Sequence, residues 1–327
     1  MYQSIYVDKL NRQVHIWDDQ EGHITVPLHQ YTYGYIKDPR GLKKAIDGKS
    51  VRKIKLNRQI REEAREGNKR HLYYETDVPI ETRVLIDRYG DSDEPSVNTR
   101  ELNFDIETEI LQGFPDWKNP VNKITAIAWH EKQTDQYGVL VLDEENKVKT
   151  SIEGNKTVIS CQSEEELLHC FLEQYEQLAP HILTGWNIEM FDIPYLVCRM
   201  KRVLGDGEAN RLSPVGQINY REMIDKWFIE GVALLDYMLL YKKFTMGERP
   251  SYRLDAIGKH EVDLGKVEYE GNLDDLFASD INKYIEYNLN DVEIVKRLDE
   301  KLKFIDLAKA ICPVSYTHLT LPTKRIV

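Results

Sequence analysis

Short runs of alternating apolar and polar residues fill the first third of the chain. QSIYVD, QVHIW and HITVPL show the two-residue period of strands with one buried face. The charge-rich stretch VRKIKLNRQIREEAREGNKR at 51–70 follows, which we interpret as a solvated helix face or loop, and then the turn-rich GDSDEPSVNTR. Residues 1–99 are therefore predicted to form a smaller α+β domain that closes near Asn98.

The pattern becomes more apolar after residue 99. ELNFDIE, KITAIAWH and YGVLVLD predict three consecutive strands joined by turns. Ser163 and Glu166 form a capping-box pattern, and the apolar stripe of EEELLHCFLEQYEQL predicts a helix up to Pro180. HILTGW predicts a short buried strand, and a second helix is predicted to open with Pro194 and to close on Gly205.

The rest of the pattern predicts a hairpin and two further helices. PVGQINYREM and KWFIEGVALLD, within 213–236, alternate as a hairpin does and precede the helical YMLLYKKF. Apolar residues recur at helical spacing in one long stretch from about Asp280 to Lys309. We therefore predict a second, α/β domain over residues 100–313.

Residues 314–327 do not continue this pattern. VSYTHLTLPT lacks helical periodicity and resembles the translation of a sequencing-library transposon adapter. We interpret 314–327 as a non-native tail. We expect the natural sequence to end at about Pro313 and the gene to continue beyond it.

Composition and charge exclude several classes of protein. The chain has 327 residues, and none of its apolar runs approaches the roughly 20 residues that a membrane helix requires. The N-terminus lacks the basic and apolar regions of a secretory signal, so we expect a cytoplasmic protein without a membrane partner. The net charge of −11 argues against a basic protein that coats nucleic acid.

The cysteines are far apart and show no CxxC spacing, so neither a zinc site nor a disulfide framework is expected. We expect them to be buried apolar residues: Cys161, Cys170, Cys198 and Cys312.

Acidic residues in three separate segments are candidates for a metal site. In the strand NFDIET, Asp105 and Glu107 share one face, and two such anions repel unless a cation lies between them. Asp192 precedes the helix predicted at Pro194, and Tyr287 and Asp291 lie four residues apart on one helix face. Taken singly, each segment also has an ordinary structural explanation: an exposed strand for the first, a helix N-cap for the second and a helix without a functional role for the third. Their order and placement together are specific.

The three segments resemble motifs of a known family. NFDIETE, GWNIEMFDIPY and YNLNDVEIV are similar to the three exonuclease motifs of family B DNA polymerases, in particular replicative polymerases of T-even-type bacteriophages. FPDW at 114–117, LLDYMLLYKKF and FIDLAK also resemble these proteins, so the resemblance covers roughly residues 100–312. It implies a ribonuclease H-like, mixed-sheet α/β exonuclease domain of the tyrosine-bearing DEDD subtype. Residues 1–99 would be the N-terminal domain that precedes it.

The resemblance also implies a two-metal site that hydrolyses the terminal phosphodiester of a DNA 3' end. Asp105 would contact both Mg²⁺ ions, for which Mn²⁺ can substitute. Glu107 and Asp291 would hold the ion that activates water, and Asp192 mainly the second ion through water. Tyr287 would orient the attacking water through its hydroxyl and would not act as the general base, because an ordinary phenol is a poor base at neutral pH. Asn187 and Phe191 would contact the terminal nucleotide, and Phe191 would do so by stacking on its base.

The predicted function is that of the proofreading 3'-5' exodeoxyribonuclease of a DNA-directed DNA polymerase, acting in the host cytoplasm. Its expected partners are single-stranded or frayed primer-template DNA, a missing C-terminal polymerase region, and sliding-clamp and replisome proteins. The hairpin within 213–236 matches the position of a family hairpin that helps to separate primer from template. Two alternatives stay open: a free-standing DEDD exonuclease acting on DNA or RNA, and a catalytically silent nucleic-acid-binding module.

Overall fold

The structure is a computed structural model that describes residues 1–92, 94, 96–110, 113 and 115–315, with backbone only for 313–315. The chain divides into two compact units, Met1–Val97 together with residues 310–315, and Asn98–Lys309. Most of the tail predicted at 314–327 lies outside the described residues, as does Phe114 of FPDW. Within the described part of the chain, no helix has both the length and the apolar character needed to cross a membrane.

The first unit is built on small antiparallel sheets and two helices, α1 (Arg58–Glu66) and α2 (Ile80–Tyr89). Three strands form one sheet in chain order: β1 (Tyr2–Asp8), β2 (Gln13–Asp18) and β3 (Gly22–Pro27). The strands of the other sheet are β4 (Tyr33–Lys37), β5 (Lys43–Lys44), β6 (Ser50–Lys55) and β7 (Tyr73–Tyr74), in the order β5-β6-β4-β7.

The charge-rich stretch 51–70 is only in part the solvated helix or loop predicted for it. Residues 51–55 belong to β6, and the exposed helix α1 follows. Asn57 caps this helix, because its side chain accepts the Ile60 N–H at 2.8 Å.

The second unit contains the larger sheet and most of the helices. Its strands are β8 (Glu101–Thr108), β9 (Ile124–Glu131), β10 (Gln136–Leu142), β11 (Ser151–Glu153), β12 (Lys156–Cys161), β13 (Ile182–Gly185), β14 (Ile218–Arg221), β15 (Lys226–Ile229) and β16 (Ala233–Asp236). Its helices are α3 (Glu164–Leu178), α4 (Asp192–Val203), α5 (Asp206–Ala209), α6 (Tyr237–Phe244), α7 (Leu254–Val262), α8 (Leu273–Ser279), α9 (Ile281–Leu302) and α10 (Phe304–Ser315), the last of which extends beyond Lys309.

Seven strands of this unit form one mixed sheet in the order β11-β12-β10-β9-β8-β13-β16. The strands β8, β9 and β10 pair antiparallel, whereas β13 runs parallel to β8 and β16 runs parallel to β13. The hairpin of β14 and β15 forms a separate two-stranded sheet. The result is a mixed α/β domain with β8 inside its sheet.

The two faces of β8 have different neighbours. Phe104 and Ile106 belong to the apolar core that contains residues of α3 and α4. Asp105 and Glu107 are paired across the sheet with Ala128 and Ala126, which pack with residues of α9. Because cross-strand partners share a face, the two carboxylates lie on the α9 side of the sheet.

Several predicted elements are confirmed, and others differ. The three consecutive strands, the capped helix α3 and the hairpin are present. The sequence missed β11 and β12 and placed the residues of β16 in the hairpin. The pairing of β12 with β10 and of β16 with β13 is not local, whereas the short β11 pairs with β12 as a local hairpin that the pattern did not indicate. The predicted long helix is wrong in one respect: it breaks at Lys303, which has a left-handed φ of 53°, and a separate helix, α10, runs past Pro313 to Ser315.

Two smaller corrections concern α4 and the cysteines. Helix α4 begins at Asp192 rather than at Pro194. Two of the cysteines are only partly buried, Cys170 and Cys198.

Candidate active site

Strand β8 brings the first two candidate carboxylates together. Asp105 and Glu107 are two residues apart on one face of the sheet, as predicted. Asn288 of α9 donates from Nδ2 to Asp105 Oδ2 at 2.8 Å, which links this carboxylate to the long helix. Asn103, earlier on the same face, donates to the Val292 carbonyl at 2.8 Å and so holds α9 against β8.

Asp192 reaches the site as the first residue of α4. Its Oδ1 accepts the backbone N–H of Ile106 at 3.1 Å, which joins the start of the helix to β8 between the other two acids. Gly185, the last residue of β13, precedes the turn that leads to α4, and a Cβ at this position would lie 2.5 Å from the Phe104 carbonyl oxygen. Buried Asp236 stabilises the same turn by accepting the Asn187 N–H at 3.3 Å and the Glu189 N–H at 3.1 Å.

Helix α9 supplies Tyr287 and Asp291 one turn apart, and both contact Lys266 from the segment between α7 and α8. Lys266 Nζ donates to Tyr287 Oη at 2.8 Å and forms an ion pair with Asp291 Oδ2. The other oxygen, Asp291 Oδ1, is buried and has no hydrogen-bond partner among the described residues. A buried carboxylate oxygen without a donor is costly, so it is a position where a cation would be stabilising.

The oxygens of Asp105, Glu107 and Asp291 converge closely enough to share an ion. One carboxylate oxygen of each lies within 4.8 Å of the others, and the three could hold a metal. Asp192 is not a member of this close group, although its charge acts on Asp105. Three of the four predicted acids therefore form the tight cluster, and the fourth borders it.

The site is electrostatically unfavourable for the carboxylates by themselves. Burial, and after it the neighbouring carboxylates, raise the pKa of Asp105 well above its usual range. Burial and then the charge of Asp291 raise the pKa of Glu107 to about 8. Burial raises the pKa of Asp192 to about 7 and also raises that of Asp291, which Lys266 opposes. A bound divalent cation would favour the ionised forms of these groups.

The two residues predicted to contact a nucleotide lie in the turn before α4. Asn187 is partly buried and has a left-handed φ of 68°. Phe191 stacks on Tyr195 with a centroid distance of 5.7 Å and packs partly buried against the core. Their roles in binding remain predictions.

The sequence did not reveal Lys266, Asn288 or Asp236. A polar Asn288 within the buried stripe of α9 was a usable signal, because buried amides need partners. Lys266 had no such signal, since it lies in an irregular segment and meets Asp291 only through the fold.

The second unit is thus a mixed α/β domain with a buried carboxylate cluster that could hold a catalytic metal ion. Residues 42–257 match the sequence model for DNA polymerase family B, exonuclease domain, which is about two thirds of the chain. The chain therefore belongs to the family B DNA polymerases, and the predicted resemblance is confirmed. The matched region contains Asp105, Glu107 and Asp192 and ends before Tyr287.

Curated relatives agree with this membership. The chain is 35% identical over 239 residues to the DNA-directed DNA polymerase of Escherichia phage RB69 and 33% identical over 235 residues to that of Enterobacteria phage T4; each alignment covers 64% of this chain and 26% of the relative. The DNA polymerase catalytic subunit of Saimiriine herpesvirus 2 is 26% identical over 181 residues, covering 50% of this chain and 17% of that protein. The chain thus spans about a quarter of the length of the phage relatives.

Proposed function

We propose that this chain is a 3'-5' exodeoxyribonuclease that removes nucleotides from a frayed DNA 3' end, as the proofreading part of a DNA-directed DNA polymerase. The observation that carries the proposal is the convergence of carboxylate oxygens of Asp105, Glu107 and Asp291 within 4.8 Å, where the first two residues lie in the segment that matches the exonuclease family. The proposal includes a ribonuclease H-like fold of the tyrosine-bearing DEDD subtype. It also includes the role of residues 1–99 as the polymerase N-terminal domain and association with a sliding clamp and other replisome proteins.

The donor set fits Mg²⁺. It consists of carboxylate oxygens, which hard divalent ions prefer, and it includes the buried and unpartnered Asp291 Oδ1. Asp105 would contact two ions, with Glu107 and Asp291 on the first and Asp192 on the second; Mn²⁺ would substitute. Two such ions supply an activated water and charge stabilisation for the attacked phosphate and the leaving 3' oxygen.

Lys266 and Tyr287 would order the water next to this cluster. Because Lys266 Nζ donates to the Tyr287 oxygen at 2.8 Å, the phenol proton is directed to another acceptor. Burial and the charge of Asp291 raise the pKa of Tyr287, so the phenol stays protonated at neutral pH. Tyr287 would therefore orient the attacking water as a hydrogen-bond donor and would not act as a base.

The 3'-5' polarity and metal requirement are tested with single-stranded DNA labelled at its 5' end. The full chain with Mg²⁺ is expected to shorten the labelled strand one nucleotide at a time, and EDTA is expected to stop the reaction. Gel electrophoresis of the labelled products follows both. Immediate release of labelled mononucleotide, or a rate unchanged by EDTA, would contradict the proposal.

The hairpin of β14 and β15 is proposed to help open a duplex end before cleavage. Between its strands, Met223 is fully exposed and Ile224 is 53% exposed, so the tip carries apolar side chains of the kind that separate stacked bases. Replacing both by serine is expected to slow degradation of a duplex 3' end roughly tenfold, because the apolar wedge no longer offsets unstacking. Degradation of single-stranded DNA is expected to stay unchanged.

The matched control for this experiment is Ile152→Ser, which removes an apolar side chain of 76% exposure from β11. It is expected to degrade both substrates at the rate of the unmodified chain. Equal duplex rates for the double serine variant and for this control would exclude the proposed role of the hairpin.

A further inference from the structure

An open groove of about 590 Å³ lies between the end of α4, the segment before β9 and the hairpin. Its lining combines aromatic and basic side chains. The lining residues on which the inference depends are Trp117, Lys118, Lys201, Arg202, Tyr220 and Glu222.

Two aromatic side chains line the groove, Trp117 and Tyr220, and both pack against a third ring, Trp227, which lies behind them. Trp117 lies 5.3 Å from Tyr220 and 5.9 Å from Trp227 between ring centroids, and Tyr220 lies 5.3 Å from Trp227. All three are only partly buried. Their mutual packing holds the rings in place, so an unpaired base could stack on them with little ordering cost.

The basic part of the groove surrounds these rings. Lys118 Nζ lies 5.3 Å from the Trp117 ring centroid, and Lys201 Nζ lies 5.4 Å from that of Trp227. Arg202 donates to the Asn119 side chain, and Lys201 is 3.4 Å from the exposed Asp206. Three cations and one carboxylate, Glu222, line the groove, although the chain as a whole carries a net charge of −11.

Helix α4 connects this groove to the carboxylate cluster. The helix begins at Asp192, and Lys201 lies nine residues later, which is about 14 Å along the axis at ~1.5 Å per residue. At ~3.4 Å per nucleotide this separation corresponds to about four nucleotides of stacked DNA, and to fewer of an extended strand.

We infer that the groove binds unpaired DNA of the strand whose 3' end occupies the carboxylate site, about four nucleotides from that end. Aromatic faces accept any base by stacking, and nearby lysine and arginine side chains neutralise phosphates, which is how proteins bind single strands without sequence preference. In a duplex the bases stay stacked on each other, so a duplex could contact only the lysine and arginine side chains of the groove and not its aromatic rings. The inference rests on the proposed function for the direction of the strand.

The test measures binding by the full chain in EDTA, so that binding is scored without cleavage. Fluorescein-labelled oligothymidylates of about four, eight and twelve nucleotides are titrated by anisotropy. The affinity is expected to rise roughly five- to hundredfold from the shortest to the middle length, the size of base stacking on an aromatic ring. Trp117→Ala is expected to remove this rise, and Trp117→Phe to retain it.

A second variant separates the charge contribution from stacking. Lys201→Ala with Arg202→Ala is expected to reduce the slope of log affinity against log salt by about 1.4, since each phosphate contact on a single strand contributes ~0.7. Trp117→Ala is expected to leave this slope unchanged. The control Lys147→Ala with Lys149→Ala removes two exposed lysines of the same unit and should change neither quantity.

The inference would be overturned by any of three results. These are the absence of the length-dependent rise in the unmodified chain, a rise that persists in Trp117→Ala, and a duplex that binds as tightly as the single strand. Circular dichroism and binding of the shortest oligonucleotide verify that the variants fold. Failure of cleavage with Mg²⁺ would refute the proposed function without affecting these metal-free measurements.

Discussion

Replacing Asp105 by asparagine is expected to reduce the rate of 3' nucleotide release by roughly a thousandfold or more. Asp105 has a carboxylate oxygen within 4.8 Å of those of Glu107 and Asp291, and it accepts a hydrogen bond from Asn288. It is also the residue proposed to contact both metal ions. Its replacement is therefore expected to remove several kcal/mol of the transition-state stabilisation that the bound metal ions would provide. Single-turnover cleavage of single-stranded DNA in Mg²⁺ measures the effect.

The asparagine variant should lose activity without losing the fold. Asparagine keeps an oxygen that can accept the Asn288 hydrogen bond, and it removes one negative charge from a buried cluster of like charges. In EDTA its melting temperature is therefore expected to equal or exceed that of the unmodified chain. The control Glu153→Gln neutralises an exposed carboxylate of β11 and should retain full activity. A rate for Asp105→Asn within tenfold of this control would defeat the assignment of the site.

Replacing Arg199 by methionine is expected to destabilise the second unit by about 3–5 kcal/mol, the cost of leaving a buried charge without its partner. Arg199 of α4 forms two hydrogen bonds with Glu164 of α3, at 2.7 and 2.6 Å, and both side chains are at least nine-tenths buried. It also donates to the carbonyl oxygens of Pro120 and Val121 at 2.8 and 3.1 Å. Its loss would leave these buried acceptors without the Arg199 donor, although Glu164 Oε1 would still accept the Ile124 N–H at 2.9 Å.

Urea unfolding followed by tryptophan fluorescence measures this effect, because four of the five tryptophans belong to the second unit. Arg211→Met is a matched control, since Arg211 also forms two hydrogen bonds with a glutamate, Glu176, but both side chains are a third or more exposed. It is expected to cost about 1 kcal/mol or less. Adding Glu164→Gln to Arg199→Met should recover part of the loss. Equal losses for the two single variants would show that burial does not decide the strength of these pairs.

The local features of the candidate site were predictable from residue spacing. The two-residue period of a strand placed Asp105 and Glu107 on one face, and the helical period placed Tyr287 and Asp291 together. The N-cap at Ser163, whose hydroxyl accepts the Glu166 N–H, and the apolar stripe behind it defined α3 in the same way; the reciprocal half of the predicted capping box is absent, because the Glu166 side chain accepts the Gln162 N–H instead. Each of these features depends on residues within a few positions of one another.

Features that depend on distant pairing were not predictable. The order of the large sheet, with β13 placed between β8 and β16, follows from hydrogen bonds between segments far apart in the chain. The break between α9 and α10 at Lys303 was not predictable either, because the helical spacing of apolar residues continues past this residue. The roles proposed for Asn187 and Phe191 are still predictions, since the structure gives their positions and not their contacts with DNA.

The sequence by itself determined the family of the protein and the identity of its acidic residues, because motif chemistry and local periodicity are written in short segments. Only the tertiary structure decided that Asp105, Glu107 and Asp291 form the close group while Asp192 borders it, and that Lys266 pairs with Asp291. It alone also assembled the aromatic and basic groove from three separate segments. The physical reason is that burial, charge interaction and contact depend on distances in space, which the packing of β8 against α4 and α9 sets.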